Sequence, residues 1–258
     1  MIERINPADP IWNRVIAEHI QRYRFAARFV SGMRVLDAGC GVGYGSKLLI
    51  DSGAAEVLAV DISREALDIA EKSFGNERLK FLCGDCETLT GVSGTFDVIV
   101  ALEALEHFRE DRRFLSRAAD LLAEDGVLIV STPNRSFAVG GNPYHVREYT
   151  AQEFGQLLRA HFKHVTLVGQ HWTAAYRAAH QAASALWTNP FMRLGRLLEV
   201  LRGRKVDWPL RNVIPTEADL VISELYPDTA WTLLAVCANS ESRQDYRWGS
   251  CTCTQFVS

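Results

Sequence analysis

The chain has 258 residues, of which 48% are hydrophobic, and it carries a formal net charge of −3. This length and composition can bury a sizeable core and favour one elaborated domain over two independent ones. The small negative charge gives no global attraction to nucleic acid, so we expect no nucleic-acid partner. No apolar run reaches the ~18 residues of a membrane span, and the first ten residues lack the blocks of a signal peptide. We therefore predict no transmembrane segment and a cytoplasmic location.

The N-terminal segment carries apolar side chains at a helical period between residues 11 and 29. This spacing predicts an amphipathic helix. We expect residues 1–30 to lie as a lid over the mouth of the site that follows in the chain. Four basic side chains are assigned to its solvated face: Arg14, Arg22, Arg24 and Arg28.

A glycine-rich turn is the most informative feature of the sequence. The short strand of Val35 and Leu36 leads into Asp37, and glycines then stand at alternate positions up to Gly45. Such a turn lets a ligand approach the backbone, and the helix starting near Tyr44 directs free N–H groups at that ligand. A dinucleotide fingerprint would need a glycine where Tyr44 or Ser46 stands, which disfavours NAD and FAD. The turn predicts a loop for a nucleoside cofactor.

Acidic residues follow the next two predicted strands. Val57 to Val60 ends at Asp61, where a carboxylate can accept hydrogen bonds from ribose hydroxyls. Leu79 to Cys83 is followed by Asp85 and Cys86. Further strands are predicted at 96–101, 126–130, 165–168 and 231–238, and the fourth of all strands runs into the sequence LEALEHF. The order of strands and helices predicts a parallel α/β sheet.

This joint pattern resembles the class I S-adenosylmethionine (SAM) dependent methyltransferases. The resemblance implies an α/β, Rossmann-like sheet of seven strands, mostly parallel, with an antiparallel last strand, helices on both faces and a helical insert before the last strand. It divides the chain into a lid at 1–30, a SAM-binding core at 31–170, the insert at 171–228, the last strand at 229–240 and a polar tail at 241–258. The implied cofactor residues are Asp37, Gly39, Gly41, Gly43, Asp61, Ile62, Asp85, Cys86 and Glu103.

The segment after the fourth strand carries the candidate catalytic groups. Glu103, Glu106 and His107 form an ExxEH pattern, and His145 follows later in NPYHVREYT. A histidine at this edge of the sheet is a plausible general base, so His107, Glu103 and His145 are the predicted catalytic residues. The pattern also resembles that of the ubiquinone-biosynthesis O-methyltransferases and of small-RNA terminal 2′-O-methyltransferases. That resemblance implies an alternative in which Glu103, Glu106, His107 and His145 hold a divalent metal such as Mg²⁺.

The predicted insert at 171–228 is rich in aromatic and basic residues. Its apolar residues fall at helical spacing, so one interpretation is a lid helix with arginines facing water. The other is that aromatics and arginines face the site and recognise a glycan, a phosphate or a phospholipid surface, which would allow peripheral membrane contact. Both interpretations make the insert the module that selects the methyl acceptor.

The segments EALEHF, STPN and NPYHVREYT together resemble bacterial methyltransferases of glycan and natural-product biosynthesis. This resemblance implies O-methylation of a small-molecule acceptor, most simply a sugar or polyol-like one. Two alternatives stay open: a quinone or phenolic acceptor, and a catalytically silent scaffold that binds SAM. Asp61 and His107 argue against the scaffold, which has no need of them. The oligomeric state is left open by the sequence.

Overall fold

A computed structural model describes residues 12–137, 142–178, 220–224 and 227–240. The helices are α1 (Trp12–Ala27), α2 (Tyr44–Asp51), α3 (Arg64–Phe74), α4 (Asp111–Leu121) and α5 (Ala151–Arg159). The strands are β1 (Arg34–Ala38), β2 (Glu56–Asp61), β3 (Leu79–Cys83), β4 (Phe96–Leu102), β5 (Leu122–Pro133), β6 (His164–Trp172), β7 (Leu220–Ser223) and β8 (Thr232–Ala238). Residues 174–178 are also helical.

The strands form one sheet of eight, in the order β3-β2-β1-β4-β5-β8-β6-β7. β1 to β5 pair in parallel, whereas β8 is antiparallel to both of its neighbours, β5 and β6. This confirms the predicted fold class. The predicted number of seven strands is wrong by one, because β7 pairs with the end of β6 inside the segment assigned to the helical insert. A four-residue edge strand with one buried side chain gives too little periodicity to be recognised in a sequence.

Helices cover both faces of the sheet, as predicted. On one face, Phe114 of α4 and Phe154 of α5 pack on β4 and β5. On the other, Phe25 of α1, Leu49 of α2 and Leu67 of α3 pack on the central strands. A side-chain cap begins α3, since Ser63 Oγ accepts a hydrogen bond from the backbone N–H of Ala66. The capping box between Thr150 and Glu153 also forms at the start of α5.

The sheet brings the predicted site residues to one edge. The carboxyl ends of β1 to β5 meet there, which is where ligands bind in open α/β sheets. β6 ends and β7 begins at the same edge, since Trp172 pairs with Leu220. The chain therefore enters and leaves the predicted insert beside the site. Most of that insert, the polar tail at 241–258 and the start of the predicted lid lie outside the described residues.

The arginines of α1 do not all face water. Arg24 and Arg28 are exposed, as predicted. Arg22 is buried, with 1% of its surface exposed, because α1 packs on β6 and β8 and the guanidinium meets polar side chains there. Its assignment to a solvated face is therefore wrong. The side chain of Arg14 lies outside the described residues.

No helix within the described ranges combines the length and the apolar character that are needed to cross a bilayer.

Candidate functional site

The glycine loop lies between β1 and α2 and packs against its neighbours without room for side chains. Gly39, Gly41 and Gly43 adopt positive φ angles of 89°, 54° and 82°. A β-carbon on Gly43 would come within 2.8 Å of the Ala70 side chain. One on Gly45 would come within 2.0 Å of the Tyr23 ring. The loop is thus closely fitted between α1 and α3 at Gly43 and Gly45, whereas Gly41 has open space beside it and is suited to glycine by its φ alone.

A buried carboxylate, that of Asp37, stands at the end of β1. It accepts hydrogen bonds from Ser46 Oγ at 2.6 Å and from Tyr23 Oη at 3.2 Å. Burial raises the pKa of Asp37 to about 7, although the hydrogen bonds from Ser46 and Tyr23 lower it. The side chain that was predicted to bind the cofactor therefore points at the protein's own hydroxyl groups. Its observed contacts shape the loop and attach α1 to it.

Asp61 holds the loop from the end of β2. Its two carboxylate oxygens accept the backbone N–H groups of Gly41 at 2.9 Å and of Ser63 at 2.8 Å. A carboxylate oxygen has a second lone pair, so both oxygens retain the capacity to accept a hydroxyl. Ile62, the next residue, is 56% exposed although it is apolar. An acceptor pair beside an open apolar side chain suits a ribose and its base.

Asp85 and Cys86 follow β3 at the same edge. Asp85 is exposed, and its carboxylate accepts a hydrogen bond from the N–H of Glu87. Cys86 is buried, with its thiol 3.4 Å from the carbonyl oxygen of Val60, and burial raises the pKa of this thiol above its ordinary value. Cys86 therefore stays a neutral thiol that packs beneath the loop, while Asp85 faces the space above it.

Glu103 follows β4 in a strained conformation. Its φ is +52°, a left-handed value that residues other than glycine rarely adopt. Ser131 of β5 donates a hydrogen bond to its Oε1 at 2.9 Å, and Arg22 Nη2 lies 4.0 Å from its Oε2. Backbone strain of this kind is found disproportionately at functional sites. The arrangement places one anion and one cation next to each other where β4 ends.

Arg22 is the site residue that sequence reasoning missed. Its Nε is buried and has no hydrogen-bond partner within the part of the chain that the structure describes. Glu18, one turn earlier on α1, lies 4.0 Å away, and burial raises its pKa to about 7 although the charge of Arg22 lowers it. A buried guanidinium with unused donor capacity is expensive unless an anion completes it.

His107 has one ring nitrogen available for proton transfer. Leu105–His107 form a 3-10 turn rather than the α-helical turn that the ExxEH spacing suggests. His107 Nδ1 lies 3.0 Å from the carbonyl oxygen of Tyr144, which only accepts hydrogen bonds, so Nδ1 carries the proton. The other nitrogen, Nε2, then carries the lone pair.

His145 is brought beside His107, with the ring centres 5.2 Å apart. Its Nδ1 lies 2.8 Å from Glu148 Oε1 and its Nε2 lies 3.1 Å from Asn142 Nδ2. The carboxylate accepts and the amide donates, so His145 has the same tautomer as His107. Both imidazoles are therefore held in defined orientations by the protein.

Glu106 completes a cluster with the two histidines. Ligand atoms of Glu106, His107 and His145 all lie within 4.8 Å of one another. Glu106 is buried, and burial together with the charge of Glu103 raises its pKa well above the usual range. The Thr132 side chain is near enough to lower that pKa, but Glu106 Oε2 has no hydrogen bond of normal geometry among the described residues. Three of the four predicted metal ligands thus come together, but Glu103 lies outside this group because its carboxylate is bound to Ser131 and faces Arg22.

The sequence that builds this site is similar to known methyltransferases. Residues 36–130 match the family model of a methyltransferase domain. The chain is 34% identical over 161 residues to a Mycobacterium tuberculosis protein named "Probable S-adenosylmethionine-dependent methyltransferase", covering 60% of this chain and 58% of that protein. These matches support the predicted resemblance to the class I SAM-dependent methyltransferase superfamily. SAM, the predicted cofactor, is the cofactor of that superfamily.

Two other similar proteins act on different atoms. The chain is 37% identical over 110 residues to the ubiquinone biosynthesis O-methyltransferase of Coxiella burnetii, covering 42% of this chain and 47% of that protein. It also resembles the structure of a Burkholderia thailandensis 1,6-didemethyltoxoflavin-N1-methyltransferase with its substrate and S-adenosylhomocysteine. That similarity has a TM-score of 0.50 and 26% identity over 63% of this chain and 73% of the other. The chain thus spans about half to three fifths of the curated relatives' length.

The buried carboxyl of Asp37 makes stability depend on pH. Its pKa is about 7 in the folded protein, against 3.8 for the ordinary side chain. Between these values the folded state keeps a proton that the unfolded chain has released, so the free energy of unfolding should fall as pH rises from about 4 to 7. Chemical denaturation at pH 5 and pH 8 should show this loss, and Asp37→Asn should reduce it.

Two other carboxyl groups help to assign the pH dependence to Asp37. Glu18 titrates in the same direction, so Asp37→Asn should flatten the pH dependence without abolishing it. The control is Asp51→Asn, which removes an exposed carboxylate whose ion pair with Lys47 contributes little. Equal pH dependence in the Asp37→Asn protein and the parent would contradict the assignment.

Proposed function

We propose that this protein transfers a methyl group from SAM to a hydroxyl oxygen of a small-molecule acceptor, and that a sugar or polyol-like acceptor fits best. The observation that carries this proposal is the lone pair on His107 Nε2 at the edge where the cofactor loop lies. An oxygen acceptor must lose its proton, and a nitrogen base held at this edge can take it.

The described residues fit the cofactor part by part. Asp61 has lone pairs for the ribose hydroxyls, and Ile62 with Asp85 can border the adenine. At the methionyl end, Arg22 would hold the carboxylate and Glu103 the ammonium group, because each carries the opposite charge. Bound SAM supplies a sulfonium-activated methyl group. The role of the protein is then to hold the acceptor in line with that group, which can be worth roughly 7–11 kcal/mol.

His107 is the proposed general base. Its Nδ1–H bond to the carbonyl of Tyr144 fixes the ring and stabilises the positive charge that forms when Nε2 takes the acceptor proton. Such a base typically contributes about 10²–10⁴-fold to the rate. Glu106 and His145 would then support the ring, and Glu103 would serve the cofactor.

A metal-assisted reaction is the second candidate, and Glu106 is the reason to consider it. Glu106 Oε2 could be completed by a divalent ion that His107 also binds, and that His145 would bind through Nε2 in place of its hydrogen bond with Asn142. The ion would lower the pKa of an acceptor hydroxyl without a strong base. Two imidazoles and one carboxylate suit Mn²⁺ or Zn²⁺ better than the Mg²⁺ suggested by the sequence, because Mg²⁺ prefers oxygen ligands.

The acceptor side of the site has aromatic walls. Trp231 is 48% exposed and lies 6.0 Å from the Phe137 ring, and Trp172 stacks on Tyr176 at 4.3 Å where the predicted insert begins. Aromatic faces pack well on sugar rings and equally well on quinones or phenols. The quinone or phenolic alternative therefore stays open, as does the proposal that the insert selects the acceptor. Radiolabelled methyl transfer to extracted glycans and lipids would identify the acceptor class.

The cofactor assignment predicts the effect of removing Asp61. Calorimetry should show that the parent protein binds S-adenosylhomocysteine and not NAD. Asp61→Ala should weaken that binding at least tenfold, because two charge-assisted hydrogen bonds at about 1.5–3 kcal/mol each are lost. Glu65→Ala, which removes an exposed acid of α3, is the control. Unchanged affinity in the Asp61→Ala protein would refute the ribose assignment.

The two chemistries predict different variant patterns. With a metal-free base, His107→Ala should lower the methylation rate by about 10²–10⁴ while S-adenosylhomocysteine affinity stays the same, and EDTA should have no effect. With a metal, EDTA should abolish activity, and Glu106→Gln and His145→Ala should each be as damaging as His107→Ala.

Glu103→Ala separates cofactor binding from both chemistries, since it should weaken cofactor binding in either case. We expect the metal-free pattern. Loss of activity on dialysis against EDTA, restored by Mn²⁺ or Mg²⁺, would show that expectation to be wrong.

A further inference from the structure

We propose that Gln170 is a positioning residue, which holds the Arg22 guanidinium in place to receive the carboxylate of the cofactor. The proposal rests on the proposed function, because it extends the role of Arg22 at the methionyl end. Gln170 lies on β6, 148 residues from Arg22 in the chain, and none of the predicted site residues belongs to this strand.

The hydrogen bonds of Gln170 fix the orientation of its amide. The side chain is 2% exposed, and its Oε1 accepts a hydrogen bond from Arg22 Nη1 at 2.6 Å. Its Nε2 donates to Gln21 Oε1 at 2.7 Å and to the backbone oxygen of Glu18 at 3.1 Å. Both amide hydrogens are therefore bound by acceptors on α1. A flipped amide would place its NH₂ group against a guanidinium, which has only donors.

Gln170 holds Arg22 without neutralising it. A carboxylate at this position would form an ion pair with the guanidinium and compete with an anionic ligand, whereas an amide oxygen is neutral. Thr232 adds a second neutral contact, with its Oγ1 3.4 Å from Arg22 Nη1. The acidic groups near Arg22, Glu18 and Glu103, stand 4.0 Å away, beyond hydrogen-bonding distance.

Two nitrogens of the Arg22 guanidinium are not bound to Gln170. Nε is buried and has no hydrogen-bond partner among the described residues, and Nη2 lies 4.0 Å from Oε2 of Glu103 at the end of β4. The charge of Arg22 also lowers the pKa of Tyr44, which burial raises, so the guanidinium is within electrostatic reach of the first residue after the glycine loop. A planar guanidinium that is fixed through one nitrogen keeps the other two for a carboxylate.

The experiment compares two ligands that differ at the methionyl end. S-adenosylhomocysteine has the carboxylate, and 5′-methylthioadenosine has the same nucleoside without it. Calorimetry on Gln170→Leu should show S-adenosylhomocysteine binding weakened about fivefold to tenfold, through the loss of one hydrogen bond to a charged group. Binding of 5′-methylthioadenosine should change less than twofold. Gln156→Leu, the same change at an exposed position of α5, should alter neither ligand.

The thermal unfolding of each variant is measured to check that it folds. Gln170→Asn is tested in parallel, because it keeps a buried amide and only shortens the side chain. It should weaken S-adenosylhomocysteine selectively, as Gln170→Leu does. Equal weakening of both ligands would overturn the proposal in favour of a merely structural role, and unchanged binding of both would overturn it outright. If the parent protein binds neither ligand, the proposed function itself is wrong and this inference falls with it.

Discussion

The buried carboxylate of Asp37 is the interaction on which the rest of the site depends. A carboxyl group in the interior must be hydrogen-bonded, because an unsatisfied one costs several kilocalories per mole. The donors come from Tyr23 on α1 and Ser46 on α2, so the requirement attaches both helices to the end of β1. The Tyr23 ring then lies so close to the start of α2 that Gly45 cannot carry a β-carbon. The Asp37 carboxyl group thus positions α1, the glycine loop and α2 relative to one another.

A second set of contacts holds the histidine side of the site. The backbone oxygen of Glu106 accepts the N–H groups of Val146 and Arg147 at 2.8 and 3.2 Å, which draws the later histidine toward the first. Asp111, at the start of α4, accepts Arg147 at 2.6 Å and Tyr149 at 2.7 Å. The segment that follows His145 is therefore anchored both to the turn after β4 and to the start of α4. The glycine loop and the histidine cluster are thus held by separate networks.

The sequence predicted those features that are written in local patterns. Strand β3 was predicted with its observed bounds, and the acids after β2 and β3 were placed correctly because parallel strands bring their carboxyl ends to one edge. Arg22 was misplaced because its partner on β6 is remote in the chain and a helical period cannot reveal a buried polar contact. Glu103 was grouped with the histidines because its spacing suited a helical turn. The positive φ of Glu103 directs this residue away from that turn, and no local sequence pattern predicts a positive φ at a glutamate.

The pairing of Trp172 with Leu220 has a consequence for how this protein can change. The chain leaves the sheet at the end of β6 and returns beside it at the start of β7, so the two ends of the intervening segment are fixed by strand hydrogen bonds. The entropic cost of closing a loop grows only slowly with its length, and a segment joined at two neighbouring points transmits little strain to the sheet. Changes of length between these two ends would therefore leave the pairing of β1 to β4 and the glycine loop as they are.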